Sequence, residues 1–262
     1  MGWVQANGAV LRYELTGQGG PPLVLVHEMG GTLESWDTVV PALSRSRQVL
    51  RYDMRGSGLS EKLRGTLSLD TLAADLAALL DRLGIAGPIV LAGCAVGAAV
   101  SLGFTARYPD RVAGVVAMAP ATGLPPERQA ATLARADQLD RDGLRAVADP
   151  GMLPTEAPPS DPVEHDRCRR LANDPHGVAA LLRMLAGLAM DDDLARIRCP
   201  ALVLAGRRDT FRPPEVVEKV ARAIAGARLE VYDTGHVMAV DTPDLVIEVL
   251  ERFWAEIAMA AV

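Results

Sequence analysis

Gly93-Cys94-Ala95-Val96-Gly97 follows the apolar run Pro88-Ile89-Val90-Leu91-Ala92 and opens a helical stretch from Val96 to about Tyr108. A short apolar run, a small-residue turn and a helix in that order match the frame G-x-S-x-G, a strand-to-helix turn that presents a serine at its tip. Glycines stand two residues before and two after the tip because the tip backbone is strained and a Cβ at either position would collide with its neighbours. Both are present, yet the tip residue is Ala95, which carries no oxygen. Taking Cys94 as the attacking group instead would put Ala92 and Val96 where the glycines must be. Cys94 is therefore expected to pack as a small buried hydrophobe beside the tip.

At 262 residues, 49% hydrophobic and 23% charged, the chain fits one large α/β domain with an insertion. A net charge of −6 argues against nucleic acid or an anionic membrane as partner, since both call for basic patches. Lys62 and Lys219 are the only lysines, so nearly all positive charge is arginine, a composition bias rather than a functional signal. Three cysteines (Cys94, Cys168, Cys199) at spacings unsuited to a metal fit a reducing compartment. The first residues show no basic segment followed by an apolar run, and no apolar run reaches membrane-spanning length. Ala6 stands where a myristoylation signal needs Ser or Thr. The expectation is a soluble, cytoplasmic protein acting on a small molecule.

Asn7-Gly8 between Trp3-Val4 and Val10-Leu11-Arg12-Tyr13 predicts a tight hairpin. Pro22–Val26, Val49–Tyr52, Pro88–Ala92, Val112–Met118, Ala201–Ala205 and Leu229–Tyr232 are short apolar runs of the kind buried on both sheet faces. Between them the spacing predicts helices over Leu69–Leu83, ending at Gly84, from Val96, from Pro213-Pro214, and from Pro243 to about Met259. This alternation means a mostly parallel sheet flanked by helices. The rhythm breaks between Leu124 and Asp193, where helical segments (Gln129–Leu139, Val178–Met190) surround a Pro-rich piece, Pro154–Pro162. We expect residues 1–123 and 194–262 to form the core domain and 124–193 a helical cap over the strand ends, where such sheets bind ligands.

Acyl transfer needs an attacking group, a base, an acid that orients the base, and donors for the oxyanion. The base candidate is His236, in Asp233-Thr234-Gly235-His236 directly after a strand. The acid candidate is Asp209, in Gly206-Arg207-Arg208-Asp209, also just past a strand end. Tip, acid and base then fall in the order 95, 209, 236, as this strand–turn–helix architecture requires. An acid after the preceding strand is absent, because the residues there are Ala119-Pro120-Ala121-Thr122. The oxyanion donors would be the main-chain N–H of Val96, at a helix N-terminus, and that of Met29, in His27-Glu28-Met29-Gly30-Gly31. Glu28, Cys94 and Val237 flank these positions as candidate substrate contacts. No metal-ligand cluster is visible, and the chemistry calls for no cofactor.

With its His-Gly-type loop, Asp53-Met54-Arg55-Gly56-Ser57-Gly58-Leu59-Ser60, the elbow, the acid loop and the Gly-His loop in order, the chain resembles the α/β-hydrolase superfamily over essentially its full length. Within it, the chain is similar to 3-oxoadipate enol-lactonases and related small-ester or lactone hydrolases with a short helical cap. The resemblance implies an α/β-hydrolase fold, a serine nucleophile at position 95 and an acyl-enzyme. Glu28 departs from the usual His-Gly. It would point to solvent, bond to its own loop, or contact a polar substrate. The Asp53–Ser60 loop is expected to support the first strands. Arg128, Arg135, Arg169, Arg170 and Arg183 in the cap could clamp a substrate carboxylate, against a background of arginines on solvated helix faces.

Ala95 itself admits three readings. Serine is the natural residue and alanine an inactivating replacement, leaving the fold alone; this is the reading we carry forward. Alternatively the alanine is natural and the protein binds without turnover. Or it is natural and His236 with Asp209 act as a base without a covalent step, as in cofactor-free dioxygenases or lyases. Amide and C–C bonds suit the same machinery as esters and lactones.

Overall fold

The computed structural model describes residues 1–158 and 160–260. Two strands, β1 (Gly2–Ala6) and β2 (Ala9–Thr16), form the hairpin around Asn7-Gly8. Then follow β3 (Leu23–Val26), α1 (Val40–Leu43), β4 (Val49–Tyr52), α2 (Leu69–Arg82), β5 (Ile89–Cys94), α3 (Val96–Arg107) and β6 (Val112–Met118). Between β6 and the next strand the described residues form the α-helices α4 (Pro126–Asp142), α5 (Leu144–Val147), α6 (Pro162–Leu171), α7 (Pro175–Ala186) and α8 (Asp191–Arg196). The chain closes with β7 (Ala201–Gly206), α9 (Pro214–Ala223), β8 (Arg228–Tyr232), α10 (Met238–Asp241) and α11 (Pro243–Ala260).

The strands make one sheet in the order β1-β2-β4-β3-β5-β6-β7-β8, antiparallel at β1–β2 and β2–β4 and parallel elsewhere. Successive side chains of a strand point to opposite faces, so a strand covered on both sides must be apolar throughout. Val24 and Val26 of β3, Leu91 of β5 and Val203 of β7 accordingly pack with α2, α3 and α9. Leu23, Leu25, Val90, Ala92 and Leu202 face the other way, onto α1 and α11. Trp36, Val249, Leu250 and Phe253 complete that second layer. In β5, Gly93 pairs with Val26 on one side and Ala117 on the other, so the turn after Cys94 emerges between the loops that follow β3 and β6. That is the end of an open α/β sheet at which ligands bind.

Between β6 and β7 the sequence is right about helices and differs from the structure in where they begin and end. α4 begins at Pro126, not Gln129, because Pro126 and Glu127 suit a first turn. α7 begins at Pro175, where Asp174 accepts from the His176 N–H, and it ends at Ala186 rather than Met190, with Gly187 as its cap. The Pro-rich piece conceals a helix start. Asp161 accepts from the N–H groups of Val163 and Glu164 and launches α6 at Pro162. Ala136 and Leu139 of α4 pack on Val178 and Ala179 of α7, and Leu181 and Leu185 of α7 continue into the main core. No described helix is long and apolar enough to cross a membrane.

Candidate active site

Ala95 joins β5 to α3 with φ 51° and ψ −113°, backbone space that an L-residue rarely occupies. Three main-chain bonds hold it there. Its N–H donates to Met118 O at 2.9 Å, and its carbonyl accepts from Ala121 N at 3.0 Å and Ala99 N at 3.2 Å. The flanking glycines leave no room for a side chain. A Cβ on Gly93 would sit 2.3 Å from Gly97 O, and one on Gly97 would sit 2.3 Å from both Val26 O and His27 O. The strained turn is therefore built by the surrounding chain, whatever residue occupies its tip.

The carbonyl of Ala95 and the N–H of Val96 belong to one planar trans peptide, so pinning the first aims the second the opposite way. The same holds one loop away. The Glu28 carbonyl accepts from His27 Nδ1 at 2.8 Å and from Gly31 N at 3.0 Å, which fixes the direction of the Met29 N–H. His27 Nε2 accepts from the Met54 N–H at 3.0 Å, so the ring carries its proton on Nδ1. Burial pushes the His27 pKa down, in keeping with that neutral form. Among the described residues neither Met29 N–H nor Val96 N–H meets a protein acceptor, and both residues line the same cavity.

His236 follows β8, and Asp209 follows β7, its parallel neighbour in the sheet. Nδ1 of His236 donates to Asp209 Oδ2 at 2.7 Å. Oδ1 of Asp209 accepts from the N–H groups of Phe211 at 2.8 Å and Arg212 at 3.0 Å. Burial alone would raise the Asp209 pKa, but the bond to His236 and these two N–H groups hold it below the ordinary carboxylate value. A carboxylate on Nδ1–H leaves Nε2 of His236 as the unprotonated, basic nitrogen. Phe211 lies tilted against the imidazole, ring centroids 5.2 Å apart.

Ala95, Val96, Glu28, Met29, His236 and Val237 all border a cavity of about 540 Å³ whose outer wall comes from the helices between β6 and β7. Cys94 does not line it. Its thiol is buried and donates to the His236 carbonyl at 3.3 Å, and burial pushes its pKa well up. The expectation of a substrate contact there is corrected by that inward orientation. Glu28 does not point to solvent either. It is buried, accepts from Ser35 Oγ at 3.0 Å within its own loop, and pairs with Arg170 of α6 at 2.5 Å. Burial would raise the Glu28 pKa, but Arg170, then Arg169 and His27, bring it below the ordinary value.

The insertion grips this loop at several points that the sequence did not disclose. Arg170 Nη1 donates to Met29 O at 3.2 Å, and Arg169 Nη1 donates to Thr32 Oγ1 at 2.8 Å and Ser35 Oγ at 2.9 Å. Asn173 donates to Gly31 O at 3.2 Å and accepts from the Gly58 N–H at 3.1 Å. Arg183, by contrast, pairs with Asp137 and Asp140, and Arg135 bonds to Val147 O. The Asp53–Ser60 loop acts as a brace, with Asp53 accepting from Leu33 N at 2.7 Å and Leu59 N at 2.8 Å.

This fold is that of a known family. A family model described as alpha/beta hydrolase fold matches residues 21–156, and the chain belongs to that family. It is 33% identical over 263 residues to the dihydrolipoyllysine-residue acetyltransferase component of the acetoin cleaving system of Pseudomonas putida, covering 95% of this chain and 68% of that one. A thermophilic esterase from Thermogutta terrifontis superposes with a TM-score of 0.89 at 29% identity, covering 98% of this chain and 100% of that one. An enol-lactonase from Burkholderia xenovorans superposes with a TM-score of 0.88 at 28% identity, covering 97% and 100%.

Proposed function

We propose that this chain is the scaffold of a serine-type hydrolase of small esters or lactones, with Ala95 in the place of the nucleophilic serine and residues 124–193 as its cap. One observation carries the reading. A carboxylate-oriented imidazole, an elbow held at φ 51° and two N–H groups without acceptors among the described residues border one cavity. A binding protein without turnover needs none of the three aligned. The similarity to an esterase and an enol-lactonase favours esters and lactones over other acyl bonds.

With serine at position 95, His236 Nε2 takes the hydroxyl proton as the oxygen attacks the substrate carbonyl. The Met29 and Val96 N–H groups hold the oxyanion. The tetrahedral intermediate collapses, the leaving alcohol takes the proton from His236, and the acyl group stays on the serine. Water, deprotonated by His236, then releases the acid and restores the hydroxyl. These side and main chains suffice for each step.

The test is Ala95→Ser, assayed with the parent chain against p-nitrophenyl acetate and butyrate and a set of small lactones. We expect turnover in the serine form at least about 10³ above the parent, the scale on which removing a nucleophile acts. Turnover in neither form overturns the reading. Equal turnover in both would move the chemistry to a base-only mechanism on His236.

A further inference from the structure

Arg170 borders the cavity but is not free to receive a ligand. Nε pairs with Asp166 at 2.5 Å, Nη2 with Glu28 Oε1 at 2.5 Å, and Nη1 donates to Met29 O at 3.2 Å. Every nitrogen of the guanidinium is thus engaged, and two of the three acceptors lie on the loop after β3. The helix that carries Arg170 is tied down by polar contacts rather than by packing. Arg169 and Asn173 add their bonds to the same loop, while Val163 of α6 is exposed and Leu171 belongs to none of the apolar clusters. By comparison, α4 and α7 pack through Ala136, Leu139, Val178 and Ala179.

Residues 28–31 form a turn closed by the Gly31 N–H on Glu28 O at 3.0 Å. Gly30 has φ 73° and Met29 a negative φ, which makes the turn type II. Type I differs from it by rotation of the central peptide, here Met29 C=O to Gly30 N–H. The oxygen of that peptide is the one Arg170 holds. The Glu28 carboxylate beside it needs glycine at 31, since a Cβ there would lie 2.3 Å from Oε1. The Met29 N–H therefore sits between two anchored carbonyls: Glu28 O, held by His27 and Gly31, and Met29 O, held by Arg170. Such a donor stabilises developing charge best when its direction is set before the reaction.

We infer that Arg170 is a positioning residue, which keeps the Met29–Gly30 peptide in its type II orientation and the Met29 N–H aimed toward the cavity, so that α6 of the insertion completes the oxyanion hole. The chemical role of the hole rests on the proposed function, whereas the hold on the turn does not.

The hold is read in the chain as it stands, from hydrogen exchange of two amides followed by NMR. Gly31 N–H closes the turn, and Ala121 N–H, on Ala95 O at 3.0 Å, reports the elbow. Arg170→Gln should speed Gly31 exchange by about 10-fold or more relative to Ala121, because the turn opens locally. Equal acceleration of both amides, the mark of a merely less stable fold, or no acceleration of either overturns the hold. The role is read in Ala95→Ser with p-nitrophenyl acetate. There Arg170→Gln should lower kcat by about 10²-fold, the scale of one lost oxyanion donor, with KM within about threefold. The inhibition constant of trifluoroacetone, which forms an oxyanion on the serine, should rise by the factor by which kcat/KM falls. An unchanged kcat, or a change confined to KM, removes the oxyanion role and leaves the ester reading standing. Selective Gly31 exchange with no turnover in Ala95→Ser does the reverse. Should Arg170→Gln fail to fold, Arg170→Lys keeps the charge opposite Glu28 but loses the planar fork, and unchanged exchange and kcat in that variant overturn the inference.

Discussion

Arg170 and Glu28 are joined by an ion pair of 2.5 Å that ties helix α6 to the loop carrying the Met29 N–H. The pair is largely shielded from water, with side-chain exposures of 18% and 3%, and the second oxygen of Glu28 is buried with no partner among the described residues. Removing one member of such a pair strands the other. Arg170→Leu is expected to cost about 3–5 kcal/mol in denaturant unfolding at neutral pH. Adding Glu28→Gln to that variant should recover more than half of the loss. A double variant no more stable than Arg170→Leu alone would show that the two side chains are not coupled.

His27 supplies a pH dependence of the fold. Its ring is buried, donates from Nδ1 to Glu28 O and accepts on Nε2, so the native state holds it neutral. Burial lowers its pKa from the ordinary 6.5, Glu28 and Asp53 pull it back up, and Arg169 adds to the lowering. The unfolded chain therefore binds the extra proton first as pH falls. Stability from this group is complete above pH 6.5 and declines below it, toward the lower folded pKa, by up to about 1.4 kcal/mol per pH unit. Urea midpoints measured between pH 7.5 and 5 should follow that slope. In His27→Asn the slope should flatten, whatever the variant's absolute stability.

The backbone at Ala95 makes a prediction of opposite sign to the usual destabilising mutation. At φ 51° and ψ −113° a Cβ is strained, and the cost is of order 1–3 kcal/mol. Ala95→Gly should raise thermal stability by about 1 kcal/mol after its larger unfolded-state entropy is deducted. Ala95→Ser should stay within about 0.5 kcal/mol of the parent, since it keeps the Cβ. Destabilisation by glycine would mean that the tip is not strained.

Gly97 is the converse case. A methyl there would lie 2.3 Å from two carbonyl oxygens, those of Val26 and His27, and neither belongs to a side chain that can swing away. Gly97→Ala is expected to cost 4 kcal/mol or more, at the far end of single-residue effects, and to be visible as a collapse of the thermal transition.

In the Ala95→Ser background, Asp209→Asn should lower kcat by about 10³–10⁴ with little change in KM, because an amide no longer fixes the imidazole tautomer. A fall confined to KM would mean that Asp209 serves substrate binding instead. Circular dichroism should be unchanged, since Asn can still accept from the Phe211 and Arg212 N–H groups.

The core was legible because its cause is local. Unbroken apolar runs such as Val112–Met118 can only be strands covered on both faces, and both faces of β6 are covered. Glycine at 93 and 97, acid after β7 and histidine after β8 mark positions where the backbone or the strand ends leave little choice. The insertion was less legible for the opposite reason. Arg169 and Arg170 look like any other arginines on a polar helix, and what singles them out is a contact with residues about 140 positions away. The bond of Glu28 to its own loop is among the expected outcomes, whereas its pairing with Arg170 is set by that distant helix. Asp161-Pro162 was in plain view as a helix start and was masked only by the prolines around it.

The geometry at position 95 is imposed by Met118, Ala121, Ala99 and two glycines, and it persists with a residue that has nothing to present. The tip thus behaves as a socket, with orientation supplied by the frame and reactivity by whichever side chain is plugged in. Cysteine, or a synthetic amino acid of similar bulk, could be seated there without the fold having to adapt. On the proposed function, this chain is a blank mount on which attacking groups can be compared at fixed position and angle, with the methyl of Ala95 as the common zero.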